Sequence, residues 1–468
     1  MASSNFSSLN LSPALIENLS TLGYKSMTPI QAQSLPHIID GKDVIGQGKT
    51  GSGKTAAFGL GLLNNLNVKR FRVQTLVLCP TRELADQVAS EIRKLARSIH
   101  NIKVLTLCGG SPLGPQIGSL EHGAHIIVGT PGRIEDHLNR GRLNLDDLNT
   151  LVLDEADRML EMGFEPTLEL IFKHCPKDRQ TMLFSATFPK EIKPLSEHLM
   201  QNPVTVKVAS SDTTKDIKQH FYSVDSEQDR THAVRLLLQQ FKPESAVIFC
   251  TTKVQTQDVA DQLHSFGFST LALHGDLEQR ERDQALIRFS NKSVSVLVAT
   301  DVAARGLDID NLDMVINYHI SQDPEIHIHR IGRTGRAGSK GVACSLISEK
   351  EIHKMIRLED YLGYEIESEI LPSADIINDP IKKPMMSTLQ LDGGKKQKIR
   401  PGDILGALTS KSKNSGQQDI QGNQVGKIQV LDIRAYVAVH RSITNIAIQK
   451  LNEGKLKGRK VKVRCIRG

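Results

Sequence analysis

The sequence predicts an α/β protein built as two tandem parallel-sheet domains followed by a small C-terminal α+β domain. Three observations carry this. The chain has 468 residues, too many for one core and enough for two or three domains. Short apolar runs alternate with amphipathic stretches over most of its length, as strands do when helices cover both faces of a parallel sheet. The charge is uneven: residues 395–468 hold 17 Lys or Arg against four acids, a net of +13, which leaves the first 394 residues at −6 within a total of +7. A slightly acidic body with a strongly basic tail fits a module that gathers a polyanion; a solvated, solubilising tail is the plain alternative.

The strand runs are Val44-Ile45, Thr75–Cys79, Ile126–Val128, Leu151–Leu153 and Met182–Phe184, then Ala246–Cys250, Val294–Ala299 and Met314–Asn317. Between them lie amphipathic stretches such as Leu84–Ala96 and Val254–Phe266. The series pauses at the polar segment Asn202–Lys218, which places the first domain at 1–208 and the second at 215–368. Pro372, Pro380, Pro384 and Gly393-Gly394 mark 369–394 as a linker. In the tail, 395–468, a first strand is expected near Lys396–Arg400, a helix at Asp403–Leu408, paired strands at Val425–Leu431 and Arg434–Val439, a helix at Ile443–Leu451 and a last strand at Lys460–Ile466. That β-α-β-β-α-β order is the layout of an RNA-recognition motif. Its third strand keeps one aromatic, Tyr436, so stacking of bases across the sheet is doubtful. Loops and the basic positions Arg434, Arg441, Lys455, Lys457, Arg459, Lys460, Lys462 and Arg464 are the better RNA-binding candidates. A ferredoxin-like module for protein contact is the alternative.

Composition excludes other classes. Apolar content of 39% and charged content of 24% are those of an ordinary globular protein. The start, Met1–Phe6, has neither a basic region nor an apolar core, and no apolar run approaches a membrane span. The six cysteines are scattered with no CxxC pair, which argues against a zinc site or disulfide framework and favours the cytoplasm.

The sharpest chemical signal is Gly48-Lys49-Thr50-Gly51-Ser52-Gly53-Lys54-Thr55, between a strand and a helix. In GxxxxGK[ST] the glycines let backbone N–H groups close round phosphates at a helix N-terminus, Lys54 reaches the β and γ phosphates, and the Thr55 hydroxyl ligates Mg²⁺. Gly46-Gln-Gly48-Lys-Thr-Gly51 also reads as a dinucleotide fingerprint, but the next strand ends in Leu78-Cys79-Pro80 without the acid that would hold a ribose. Downstream, the apolar run Leu151–Leu153 ends in Asp154-Glu155-Ala156-Asp157. Asp154 there would hold Mg²⁺ through water, and Glu155 would orient and deprotonate the attacking water. His327 and His329 flank Ile328, but no third metal ligand is visible.

With these residues in place, the chain resembles the DEAD-box RNA helicases, whose naming motif is Asp154–Asp157, and the resemblance runs over about residues 6–345. It implies two RecA-like domains using ATP and Mg²⁺. Phe6, Tyr24, Thr28 and Gln31 match the motif that reads adenine, and the two-sided Gln31 amide suits its N7 and N6 edge. Thr81-Arg82, Gly109-Gly110 and Thr130…Arg133 match RNA-backbone motifs of the first domain, as Gln279…Arg282 and Thr300 do in the second. Ser185 and Thr187 match the motif coupling hydrolysis to RNA; Asp308 would join the nucleotide site, and Arg333 and Arg336 would reach the γ-phosphate. Gly48 departs from the family's usual Ala.

Ile404–Leu408, Val425–Ile428 and Tyr436–Val439 further resemble the tail of the DbpA/YxiN subfamily of bacterial helicases. That resemblance implies a 23S ribosomal RNA target, a pre-ribosomal large subunit as partner, a monomer, and no membrane. An ATP-gated RNA clamp with little unwinding stays open. A DNA helicase shares the motor, but Thr81-Arg82 and Gly109-Gly110 stand in the family's RNA positions and argue against it.

Overall fold

A computed structural model describes residues 5–48, 51–186, 192–208, 217–304, 312–335, 341–410 and 419–466. The chain forms two compact units that divide near residue 211.

The first unit is a parallel sheet of Val44–Gln47 (β1), Thr75–Leu78 (β2), Val104–Leu107 (β3), Ile126–Gly129 (β4), Thr150–Asp154 (β5), Gln180–Ser185 (β6) and Val204–Lys207 (β7). Their order is β3-β4-β2-β5-β6-β1-β7, with helices on both faces. Leu76 and Leu78 point to one apolar cluster while Val77 and Cys79 point to the other, so these strands read as unbroken apolar runs. A parallel sheet gathers all its strand-to-helix loops at the carboxyl edge, where the phosphate loop, Thr81, Gly110, Thr130, Asp154 and Ser185 end or follow strands, while the adenine motif precedes β1.

The second unit holds two sheets. Ile217–Ser223 (β8), Ala246–Cys250 (β9), Thr270–Leu273 (β10), Val296–Thr300 (β11), Met314–Asn317 (β12), Gly341–Ile347 (β13) and Ser368–Glu369 (β14) form a second parallel sheet, ordered β10-β11-β9-β12-β13-β8-β14. Met386–Leu391 (β15), Val425–Val430 (β16), Ala435–His440 (β17) and Val463–Cys465 (β18) form an antiparallel sheet ordered β16-β17-β15-β18. Helices Pro401–Thr409 and Thr444–Glu453 cover one face of it, completing the expected β-α-β-β-α-β order.

The first strand of that domain is not where the sequence pointed. It is Met386–Leu391, inside the segment read as linker, and Lys395–Gln397 is only a 3₁₀ turn. Leu389 and Leu391 enter the apolar core while Thr388 and Gln390 face the other way, an alternation hidden between Pro384 and Gly393-Gly394. The stretch before it is strapped to the second domain. Half-buried Leu371 and Ile381 pack against that domain's core, Gln239 Nε2 donates to Asp379 O at 2.8 Å, and Lys383 Nζ donates to Gly267 O at 2.6 Å.

The helix-free face of the small sheet carries Thr388, Gln390, Tyr436 and Ala438, all buried. Thr388 Oγ1 accepts from Asn291 Nδ2 at 3.1 Å and shares a 2.7 Å hydrogen bond with Ser293 Oγ; Lys427 Nζ donates to Ser290 Oγ at 2.6 Å. The second domain thus sits on the face that such modules commonly offer to bases. A chain ending at Pro384 is expected to stay soluble, whereas one ending at Gly394 keeps β15 as an unpaired apolar strand and aggregates. Sedimentation of the two truncations checks this; equal solubility contradicts it.

Candidate functional site

The phosphate loop leaves β1 and enters helix Lys54–Asn64 through Gly53, whose φ of 96° is open to glycine but strained for other residues. A Cβ there would also lie 2.5 Å from Gln31 Nε2. Gln31 Oε1 accepts from Thr28 N at 2.9 Å, capping helix Pro29–Ile39, and its Nε2 donates to Gly53 O at 3.1 Å. The adenine-motif residues therefore brace the loop exit. Lys54 is buried with its ammonium on Gly48 O; burial lowers its pKa, while Asp154, Glu155 and Asp157 pull it back up. Ser52 Oγ is buried without a hydrogen-bond partner among the described residues, a donor available to a phosphate. Thr55 follows in the first turn of the helix. Lys49 and Thr50 lie outside the described residues.

Two strands away, β5 ends in Asp154, and Glu155 adopts the left-handed region at φ 52°. Asp154 is 3% exposed, and its carboxyl is pushed up to about 7, first by burial and then by the charge of Glu155, against the pull of Lys54. A desolvated carboxylate beside a second acid is an arrangement that a cation relieves. Ser185 ends β6 next to β1, where its carbonyl accepts from Gly48 N at 3.0 Å and its buried hydroxyl has no partner among the described residues. Thr187 lies outside the described residues.

On the adenine side, Phe6 is buried and meets Tyr24 edge-on at 6.2 Å between ring centres. Tyr24 donates to Glu91 Oε1 at 2.7 Å. Phe6, Gly23, Tyr24 and Lys25 line a cavity of about 350 Å³.

The RNA-motif residues of this domain meet at the ends of β2, β3 and β4. Thr81 caps helix Arg82–Leu95 by accepting from Leu84 N at 3.3 Å. The Arg82 guanidinium lies against Gly110, which has φ 65° and where any Cβ would overlap it at 1.6 Å. Thr130 starts helix Pro131–Asn139, from which Arg133 Nη1 donates to Ser111 O at 3.2 Å. These contacts bring Arg82, Gly110 and Arg133 into one surface.

In the second domain, Gln279 and Arg282 open helix Gln279–Ser290, with Gln279 Nε2 on Asp283 Oδ1 at 2.8 Å. Thr300 Oγ1 accepts from Ala303 N at 3.3 Å. Arg333 follows helix Pro324–Ile331, and its carbonyl accepts from Leu312 N at 3.1 Å. A buried ion pair that the motifs do not single out also lies here. Arg330 is buried and grips Asp301 bidentately, both contacts at 2.7 Å, and also donates to Asn317 Oδ1 and His319 O. An Arg three residues before Arg333 and an acid directly after Thr300 were the available signals. Buried His327 reaches Gln219 Oε1 at 3.3 Å and is held down at about 3 by burial and Arg330. Asp308 and Arg336 lie outside the described residues. In the C-terminal domain Arg434 is half-buried beside the β16–β17 turn and Lys460 is exposed.

Residues 28–195 match the DEAD/DEAH box helicase family model, 229–338 the helicase conserved C-terminal domain, and 388–465 the DbpA RNA binding domain. The chain is 50% identical to the ATP-dependent RNA helicase DbpA of Escherichia coli strain K12, covering 99% of each. It is 43% identical to the DEAD-box ATP-dependent RNA helicase CshA of Geobacillus kaustophilus over 79% of each chain. Among solved structures, S. cerevisiae Dbp5 bound to RNA and ADP BeF3 is similar at a TM-score of 0.71 and 32% identity, covering 80% of this chain and 96% of that one. No helix of the described residues is long and apolar enough to cross a membrane.

Proposed function

The chain belongs to the DEAD-box family of ATP-dependent RNA helicases, and from that premise we propose that it remodels structured 23S ribosomal RNA during assembly of the large ribosomal subunit. In this reading it works in the cytoplasm as a monomer, and its C-terminal domain selects the RNA. The observation that carries the reading is a DbpA RNA binding domain joined to the motor in a chain alike to E. coli DbpA from end to end.

The N–H groups of 48–53 and Lys54 hold the ATP phosphates, and Gln31 and Tyr24 face the base. Thr55 and Asp154, the latter through water, would hold Mg²⁺: a hydroxyl and a buried carboxyl of raised proton affinity make a hard-oxygen donor set. Bound there, the ion would neutralise charge on the phosphates. Glu155 takes the proton of the attacking water, and Arg333 and Arg336 steady the γ-phosphate from the second domain. Ser185 and Thr187 couple that event to RNA. Thr81, Arg82, Gly110, Thr130, Arg133, Gln279, Arg282 and Thr300 hold one strand's backbone, while Arg434 and Lys460 belong to the selecting surface. Because both domains supply groups to ATP and to RNA, binding of each favours the other.

In-cell crosslinking with sequencing of the bound RNA tests the target: enrichment at a discrete 23S site is expected, and a spread over messenger RNA contradicts it. Lys54→Ala is expected to lower RNA-stimulated phosphate release at least about 10²-fold, because the charge on the phosphates goes unopposed. An unchanged rate would remove Lys54 from the site.

A further inference from the structure

Helix Leu113–Glu121 links the Gly109-Gly110 loop to the rest of the first domain, and the one residue it buries is polar: Gln116. The Gln116 amide is held at both ends. Its Nε2 donates to Cys108 O at 3.0 Å, directly before the glycine pair, and its Oε1 lies 3.3 Å from Nε2 of His137. His137 is fully buried on helix Pro131–Asn139, the helix that Thr130 starts and that carries Arg133. Since the amide nitrogen serves Cys108, the amide oxygen faces the imidazole, so His137 carries its proton on Nε2. Its Nδ1 is buried without a hydrogen-bond partner among the described residues.

We propose that Gln116 and His137 form a buried strut that positions the RNA-gripping elements of the first domain as one rigid surface. The physical reason is the poverty of other anchors. Gly110 sits in the left-handed region with no side chain to pack, and its helix buries no apolar residue, Leu120 being only half-buried against the core. The Gln116 amide fixes the start of the loop to a helix that a second clip, Arg133 on Ser111 O, also reaches. Among the described residues, the hydrogen bonds of the Gln116 side chain go to Cys108 and His137, away from the nucleotide loop, so the strut acts on RNA binding rather than on hydrolysis.

This inference rests on the proposed RNA role of Arg82, Gly110, Thr130 and Arg133. In the full-length chain, Gln116→Leu is expected to raise the poly(U) RNA concentration that half-saturates ATPase about tenfold. Turnover at saturation and the KM for ATP should stay within about twofold. Gln116→Glu, which keeps the acceptor for His137 but loses the donor to Cys108, should fall between Gln116→Leu and the native chain. If Gln116→Leu does not fold, His137→Asn shortens the strut from the other side and must give the same split. Arg133→Ala serves as the reference. A shift with Arg133→Ala but none with a folded strut variant overturns the strut alone, and no shift with either overturns the RNA assignment beneath it. Equal losses in turnover and in both half-saturations would make the pair a general packing feature and also refute the proposal.

Discussion

Replacing Glu155 by Gln is expected to slow ATP turnover about 10³-fold while ATP and RNA still bind with near-native affinity. Glu155 occupies the left-handed region at φ 52°, a conformation that costs a non-glycine residue about 1 kcal/mol. It is held there between β5 and helix Ala156–Glu161, directly before the helix's first residue. Gln has the same shape and tolerates that backbone equally, so the change removes only the carboxylate. The charge of Glu155 is also the second cause, after burial, of the raised proton affinity of Asp154. Its removal therefore leaves Asp154 more readily ionised, which favours nucleotide retention. Single-turnover hydrolysis of labelled ATP, paired with equilibrium nucleotide binding, separates the two effects. Glu155→Gly relaxes the backbone yet also lacks the base, so it should be as slow as Glu155→Gln. Turnover within tenfold of native in Glu155→Gln would sink the assignment of the base.

The features legible in the sequence were those whose chemistry requires neighbours along the chain. A phosphate loop needs its glycines, Lys54 and Thr55 in one run, and a parallel strand that ends in Asp154-Glu155 delivers acids to the same sheet edge. The uncovered features depend on which strands lie side by side. Arg330 and Asp301 are 29 residues apart and meet only because the helices that carry them follow β12 and β11 of the same sheet. Thr388 and Gln390 carry the polar half of an alternating strand and would ordinarily face water, but another domain covers them. The first strand of the C-terminal domain was lost for a related reason: prolines and glycines on both sides look like a linker whether or not a partner strand lies next to the segment. Gln31 was read for its reach to adenine, while its brace on Gly53 O depends on a tertiary contact.

Arg230→Met is expected to destabilise the second domain by about 3–5 kcal/mol, because it breaks a buried ion pair from one side. Arg230 is 1% exposed, and its guanidinium contacts Glu351, Glu227 and the carbonyls of Tyr318 and Leu346. Glu351 is 5% exposed and also meets His319 at 3.1 Å and Lys354 at 3.3 Å. Burial alone would raise the Glu351 carboxyl, but the hydrogen bond from His319 and the charge of Arg230 outweigh it and hold the group at about 2. A carboxyl held below its usual value adds stability above about pH 4.5, and that stability is lost as pH falls from there toward the folded value. The domain should therefore lose stability on acidification over that window, and Glu351→Gln should flatten this part of the profile. Arg230→Met/Glu351→Leu removes both charges and should be less destabilised than Arg230→Met alone, since no carboxylate is left buried without its guanidinium. Thermal unfolding of the four chains at neutral pH and near pH 4 checks each step. A double variant weaker than Arg230→Met would show that the lost carbonyl contacts, not the unpaired charge, dominate.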